Sequence, residues 1–351
     1  VTGADLDAVR DGLWHAVAGG DEDTALALVR QARASGADPE TLLMDVVAAV
    51  QRRIGVAWAA GRLSVAREHA ATAINDRVVT LLATPDEGAE PPARRGRVVM
   101  ACVEGEWHAL PARLVAEVLR LRGWRVDFLG GRTPARHLVD HLRRSAADAV
   151  LLSSSLPTRL PAAHAAVTAC RSVGTPVLVG GAAFGPDGRY ARLLGADAWA
   201  PGAREAADVL AAGLERPAHT AARHPVDDLP HLADQEYTLV TRARSRLVKQ
   251  TLADLTGRLP ALRRFDDEQW ERTAEDLAHT VDFLAAALYV DDTRLFTDFL
   301  TWTADILSAR GVPGRSLLPA LGSLGEQLHD FPRARRLLDE GALALGDLPG
   351  G

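Results

Sequence analysis

Val98-Val99-Met100-Ala101-Cys102-Val103-Glu104-Gly105-Glu106-Trp107-His108 is the stretch that decides the fold. Its first six residues form an almost continuous apolar run, closed by a Glu-Gly turn. Such a run marks a strand covered on both faces, as in a parallel sheet. The theme then repeats. A helical stretch at 110–122 precedes Arg125-Val126-Asp127-Phe128-Leu129, one at 134–145 precedes Ala149-Val150-Leu151-Leu152, and one at 161–173 precedes Val177-Leu178-Val179. A helix near 188–194, a short strand near 198–200 and a helix at 203–215 complete the series. Strands alternating with helices in this way predict a Rossmann-like, five-stranded parallel sheet, doubly wound, whose ligand lies beyond the carboxyl ends of the strands.

Upstream the period changes to that of helices. Leu6, Val9, Leu13 and Val17 recur at helical spacing, Gly19-Gly20 ends that helix and Asp21 caps the next. Gly36 closes the second helix, Asp38-Pro39 opens a third, and Gly61 with Ser64 separates a fourth. Short connections predict an antiparallel four-helix bundle. The stretch 84–96 (TPDEGAEPPARRG) and the Pro-rich stretch 217–234 are read as linkers. Beyond the second, Val281, Leu284, Leu288, Leu295, Phe299 and Trp302 give amphipathic stripes over 235–348. The expected fold is α/β plus all-α: a helical bundle at 1–84, the Rossmann-like domain at 96–217 and a C-terminal helical domain at 233–349.

Composition narrows the function classes. Forty Lys and Arg against 46 Asp and Glu give a formal net charge of −6, which predicts no general attraction to nucleic acid. Two isolated cysteines, Cys102 and Cys170, fit neither a disulfide framework nor a zinc site, so a cytoplasmic location is expected. No basic-then-apolar leader opens the sequence, and no apolar run is long enough to cross a bilayer, so no membrane partner is expected.

Four features carry chemistry. Glu106-Trp107-His108 follows the first strand, where a carboxylate two residues before a histidine can hold one ring nitrogen and raise the basicity of the other. Ser153-Ser154-Ser155-Leu156 follows the third strand and Gly180-Gly181 the fourth; small residues there leave an open slot leading down from the His108 loop. In the bundle, Trp58 ends the third helix and, nine residues on, Glu68-His69 opens the fourth, at one rim. A G-x-G-x-x-G phosphate loop is missing after the first strand, as are a G-x-S-x-G elbow and an H-E-x-x-H pair, which disfavours dinucleotide binding and hydrolytic catalysis.

In this order the features resemble the cobalamin-binding module shared by methionine synthase, corrinoid methyltransferase proteins and light-sensing cobalamin receptors. That family's pattern is Asp/Glu-x-His-x-x-Gly, Ser-x-Leu and Gly-Gly, matched here by Glu106-Trp107-His108, Ser154-Ser155-Leu156 and Gly180-Gly181 over roughly residues 5–216. The resemblance implies that His108 is the lower cobalt ligand with Glu106 behind it. It also implies that Ser154 and the glycine pair line the slot for the nucleotide tail. Pro111 stands where the family has Gly; proline suits a helix's first turn, so a shifted loop is expected there.

Trp58-x9-Glu68-His69 resembles the upper-face motif of the CarH-type adenosylcobalamin photoreceptors. By that resemblance Trp58 and Glu68 hold the adenosyl group in the dark, and His69 is a candidate upper cobalt ligand after light. CarH-type repressors carry a DNA-binding helix-turn-helix, but no basic recognition helix is evident in this sequence. A helical domain after the sheet is instead similar to the photocobilins, which pair cobalamin with biliverdin. Arg264, Arg272, His279 and Asp282, among aromatics running from Phe265 to Trp302, are the candidate bilin contacts, and the lack of cysteine there requires noncovalent binding. The leading expectation is therefore a non-enzymatic light sensor binding adenosylcobalamin and biliverdin, with a light-dependent homo-oligomer or a separate output protein. The alternatives are a corrinoid carrier for methyl transfer and a non-photochemical cobalamin sensor.

Overall fold

The structure, a computed structural model, describes residues 3–84, 93–131, 133–217, 225–259 and 264–347. Most of the first expected linker, part of the second, and Arg263, a further cation read beside Arg264, lie outside the described residues. The chain forms two compact units, Val1–Ala222 and Arg223–Gly351.

The first unit opens with α1 (Gly3–Gly19) and α2 (Glu22–Ala34), the latter capped by Asp21, whose carboxylate accepts the Thr24 N–H at 3.0 Å. Asp38 caps the next helix by accepting the Thr41 N–H at 2.9 Å. That helix, α3, runs through Pro39–Thr41, a π-helical segment Leu42–Val47 and then Ala48–Ala59. A wide turn of this kind, with the Ala48 N–H bonded to the Leu43 carbonyl, rotates the side chains that follow and is common at functional sites. Ser64 caps α4 (Val65–Ala83).

The sheet contains β1 (Gly96–Cys102), β2 (Trp124–Gly130), β3 (Ala149–Ser153), β4 (Val177–Gly180) and β5 (Ala198–Ala200), all parallel, in the order β2-β1-β3-β4-β5. The helices α5 (Ala109–Leu121), α6 (Ala135–Ser145), α7 (Leu160–Ser172), α8 (Arg189–Leu193) and α9 (Ala203–Ala212) connect or follow them. Between β1 and β3 the winding reverses, and the crevice at such a switch point is where open sheets of this order bind ligands. Register brings the strand ends into line: Cys102 pairs with Ser153, Ser153 with Gly180 and Gly180 with Ala200. The three loops singled out in the sequence therefore leave the sheet side by side.

One hydrophobic core runs from the bundle into the sheet. Leu13, Ile54 and Val78 join Leu114 and Val118 of α5 and, behind them, Met100 and Leu151. At the seam the Arg122 guanidinium forks onto Glu40 at 2.8 and 2.9 Å, and Arg204 forks onto Asp45 at 2.8 and 2.9 Å. Arg122 beside it holds the Glu40 carboxyl below its usual range, so the pair stays charged.

The second unit consists mainly of α10 (Glu236–Arg258), α11 (Asp267–Val290), α12 (Thr293–Ala309), α13 (Leu318–Gln327) and α14 (Pro332–Gly346). Asp266 and Gln269 form a capping box at the start of α11. The buried Glu236 carboxylate caps α14, accepting the Arg333 and Ala334 N–H groups at 3.1 and 2.8 Å. Leu284, Leu288, Phe296 and Leu300 fill its interior. Trp302 departs from the expected inward stripe: it is 48% exposed, because its position on α12 turns away from the face that Phe296 and Leu300 bury.

Gly181 adopts φ +102°, and a Cβ there would lie 2.2 Å from the Ser154 carbonyl oxygen. Gly181→Ala is expected to cost roughly 1–3 kcal/mol, read as a lower urea midpoint at unchanged slope. Gly55→Ala, in the helical part of α3 with nothing within 4 Å of the new methyl, is the matched control and is expected to be neutral or mildly stabilising.

Candidate functional site

The site is organised around one carboxylate. Glu106 is wholly buried, at the switch point between β1 and β3. Its Oε1 accepts the N–H groups of Trp107 and His108, both at 3.0 Å, and the His108 Nδ1–H at 2.5 Å. Its Oε2 accepts the Ser155 N–H at 2.7 Å, the Leu156 N–H at 3.1 Å and the Ser154 hydroxyl at 3.2 Å. Burial alone would raise its pKa, but the hydrogen bonds led by that from the His108 side chain win and hold it at about 2. A carboxylate can only accept, so the hydrogen of the His108 ring sits on Nδ1 and the lone pair on Nε2. His108 stands at the N-cap of α5, its side chain one-third exposed.

Below this loop lies a cavity of about 350 Å³ between sheet and bundle. Met100, Leu151 and Leu178 of the sheet, Leu114 of α5 and Met44 of the π-helical segment give it apolar walls, and Gly180 and Gly181 leave its floor open. Ser153 lines it, whereas Ser154, expected in that role, turns its hydroxyl to Glu106. β3 ends at Ser153, and the loop beyond it turns the Ser154 hydroxyl to Glu106 together with the Ser155 and Leu156 N–H groups. Pro111 lies in the first turn of α5 and also lines the cavity, so the helix begins at Ala109 without the family's glycine.

On the bundle side, Trp58 is half-buried in the last turn of α3, and its carbonyl accepts the Gly61 N–H in the turn leading to α4. Glu68 is partly buried; the Thr72 hydroxyl donates to it at 2.8 Å, the Gln51 side-chain amide donates to Thr72 at 2.8 Å and Asn75 donates to Gln51 at 2.7 Å. Sequence reading missed this chain of polar groups, although Gln51, Thr72 and Asn75 at inward bundle positions are a legible signal of it. His69, exposed, reaches across to the sheet loop and meets the Trp107 indole in a T-shaped contact at 6.3 Å. Trp107 in turn stacks on His108 at 3.9 Å.

The expected bilin contacts of the second unit lie apart in their bonding. Asp282 accepts both arms of Arg244 at 2.5 and 2.8 Å, Arg272 pairs with Glu268, and Arg264 and His279 are exposed. Among the described residues no hydrogen bond or ion pair joins these four to one another. Phe265 and Trp270 pack into a small core with Leu255 and Leu277, while Phe283 and Phe299 stack face to face at 3.8 Å.

Among the described residues no three His, Cys, Asp or Glu side chains converge as a metal site, and no helix is long and apolar enough to cross a membrane. A single histidine can still hold a metal whose other ligands come from a macrocycle. The residues present fit such a group: a partly exposed imidazole with the lone pair on Nε2, above an apolar cavity lined in part by Gly180 and Gly181. A doubly wound sheet with these features at its switch point is a corrinoid-holding protein. Comparison with known proteins agrees. Residues 96–211 match a B12 binding domain and residues 9–83 a second model, also a B12 binding domain. Dimethylamine corrinoid proteins 1 and 3 of Methanosarcina acetivorans are 28% and 27% identical, over 53% and 58% of this chain and 87% and 95% of their own lengths. The HTH-type transcriptional repressor CarH of Myxococcus xanthus is 34% identical over 40% of this chain and 46% of the repressor. The first unit belongs to the B12-binding family, and the protein binds cobalamin.

Glu106→Gln tests the organising carboxylate. The depressed pKa means that its stabilisation is full above about 4.5 and is lost as pH falls toward about 2. The variant is expected to lose on the order of 2 kcal/mol in urea melts at pH 7, with the gap to wild type closing as pH drops through that window. A gap independent of pH would refute the assignment.

Proposed function

We propose that the first unit is a corrinoid carrier for methyl transfer, with His108 as the lower cobalt ligand, the nucleotide tail in the cavity beneath it and the start of α4 over the upper face. The observation that carries this reading is the Glu106–His108 hydrogen bond, which leaves Nε2 as the free nitrogen at the loop above a cavity of about 350 Å³. Bound cobalamin would supply a cobalt–carbon bond, able to carry a methyl group and, as the adenosyl form, sensitive to light. The protein's part is to hold and to shield. Glu106 keeps His108 in the ligating tautomer, the apolar walls exclude water from the tail, and Glu68 and His69 stand on the opposite side. The similarity to dimethylamine corrinoid proteins supports the carrier, whose methyl donor and acceptor enzymes would be separate chains.

A second reading, a light sensor, has a specific observation behind it. His69 touches the same loop that carries His108, and Glu68 beside it is oriented by Thr72, which together place a polar pair beside that loop. In that reading Trp58 and Glu68 would hold the adenosyl group, His69 would be a candidate cobalt ligand after light, and a change of oligomer or of partner protein would be the output. Biliverdin would be the second unit's ligand, against the Phe283–Phe299 stack with His279 and the exposed Trp302 nearby. A cobalamin sensor without photochemistry is the reading left if neither transfer nor light response is found.

Dark reconstitution with methylcobalamin or adenosylcobalamin plus biliverdin, followed by desalting and green light, separates these. A carrier is expected to retain both cobalamins to similar extents, with a light response unaffected by His69→Ala. A sensor is expected to prefer adenosylcobalamin and to give a light-converted spectrum that His69→Ala abolishes; a red-absorbing band surviving desalting would add the bilin. In either case His108→Ala should weaken cobalamin retention at least tenfold or change its spectrum. Unchanged affinity and spectrum would remove His108 as ligand.

A further inference from the structure

Trp107 is the residue of this site that the binding geometry leaves without a task. It is a large apolar side chain, 53% exposed, between the two residues that organise the lower ligand. Its indole lies on the imidazole of His108, centroids 3.9 Å apart and planes 28° from parallel, and meets His69 of α4 at 6.3 Å with planes 83° apart. The indole thus bridges the sheet loop and the bundle helix. A macrocycle held by His108 from below, with the start of α4 above it, must pass between those two elements. An indole that touches both rings, and lies within 4 Å of one, crosses that plane well inside the footprint of a tetrapyrrole.

We infer that Trp107 is a displaceable placeholder: in the empty protein its indole occupies part of the corrin's place, shields the face of His108 and holds α4 against the sheet loop, and corrin binding swings it out. This inference rests on His108 being the lower ligand of a bound corrin. Its energetic logic is simple. Without the indole, the empty site would leave the face of the His108 ring and its gap to His69 of α4 open to water. With it, the site is closed by a contact worth no more than one aromatic pair, weak enough for a corrin to replace. The backbone around Trp107 need not move, because its N–H stays on Glu106 at 3.0 Å whatever rotamer the side chain takes. The exchange is therefore a side-chain rotation, and the liganding histidine keeps its tautomer throughout.

The test uses the full chain and hydroxocobalamin as probe. Stopped-flow absorbance is expected to show Trp107→Ala binding roughly two- to tenfold faster or tighter than wild type, the size of one aromatic contact removed from the empty state. Trp107→Phe, which keeps a stacking ring, should fall between. In protein labelled with 5-fluorotryptophan, the resonance lost in Trp107→Phe should shift on adding hydroxocobalamin to wild type and should also shift, in the empty protein, on His69→Ala. Equal rates and affinities in all three proteins, or a Trp107 resonance that does not move, would overturn the placeholder while leaving cobalamin binding intact. Slower or weaker binding in Trp107→Ala would overturn it too, by making the indole part of the bound site. A wild-type protein that takes up no hydroxocobalamin would overturn both this inference and the reading beneath it.

Discussion

A charged group with no exposure to water is the constraint on which this protein's first unit depends. Removing an ionised carboxylate from water costs several kcal/mol unless its lone pairs are met. Glu106 is met by six donors drawn from two loops: its own and the one after β3. Each donor is a geometric demand. The loop after β1 must curl so that the N–H groups of Trp107 and His108 point inward, and the loop after β3 must present two successive N–H groups. The parallel register that places Cys102 beside Ser153 sets both loops at the right height. What looks like a ligand motif is therefore also a folding motif, and the imidazole is one of the bonds that make the buried charge tolerable.

The second dependence is at the seam between bundle and sheet. The cavity belongs to neither element alone: Met44, Ala48 and Gln51 enter from the bundle, and Leu114, Leu151 and Leu178 from the other side. Its shape is only as fixed as the angle between them. A continuous core and two forked arginine–carboxylate pairs hold that angle, and both acids, Glu40 and Asp45, flank or belong to the π-helical turn. The wide turn lets Met44 face the cavity while Asp45 next to it reaches Arg204, a division that regular helical spacing at this point would alter.

Much of this was legible in the sequence because it rests on periodicity and on residues with few conformational options. The buried strands, the capping aspartates at 21 and 38, and the parallel sheet followed from apolar runs and turn chemistry. Glu106 and His108 were legible because a carboxylate at that spacing has a chemical use. The exchange between Ser153 and Ser154 was not, since three successive serines carry no sign of which faces the cavity; that is set by where β3 ends and its loop turns to Glu106. The Ser155 and Leu156 N–H groups were invisible for a plainer reason: every residue but proline has one. In the second unit, aromatic character alone did not separate Phe265 and Trp270, which fill a small core, from Trp302, which faces water.

Gln51 shows how the two faces of the site come to be connected. It lines the cavity, yet its amide donates to Thr72, whose hydroxyl donates to Glu68 in the first turn of α4. Asn75, wholly buried, donates to Gln51 and keeps its own Oδ1 without a partner. What this arrangement sets is direction. With Asn75 donating, Gln51 must turn its oxygen inward and its nitrogen to Thr72, and Thr72 must give its only hydrogen to Glu68. The Glu68 carboxylate is thus aimed by a chain that starts in the bundle interior and passes the cavity wall. Two hydrogen bonds separate the cavity wall at Gln51 from the Glu68 carboxylate.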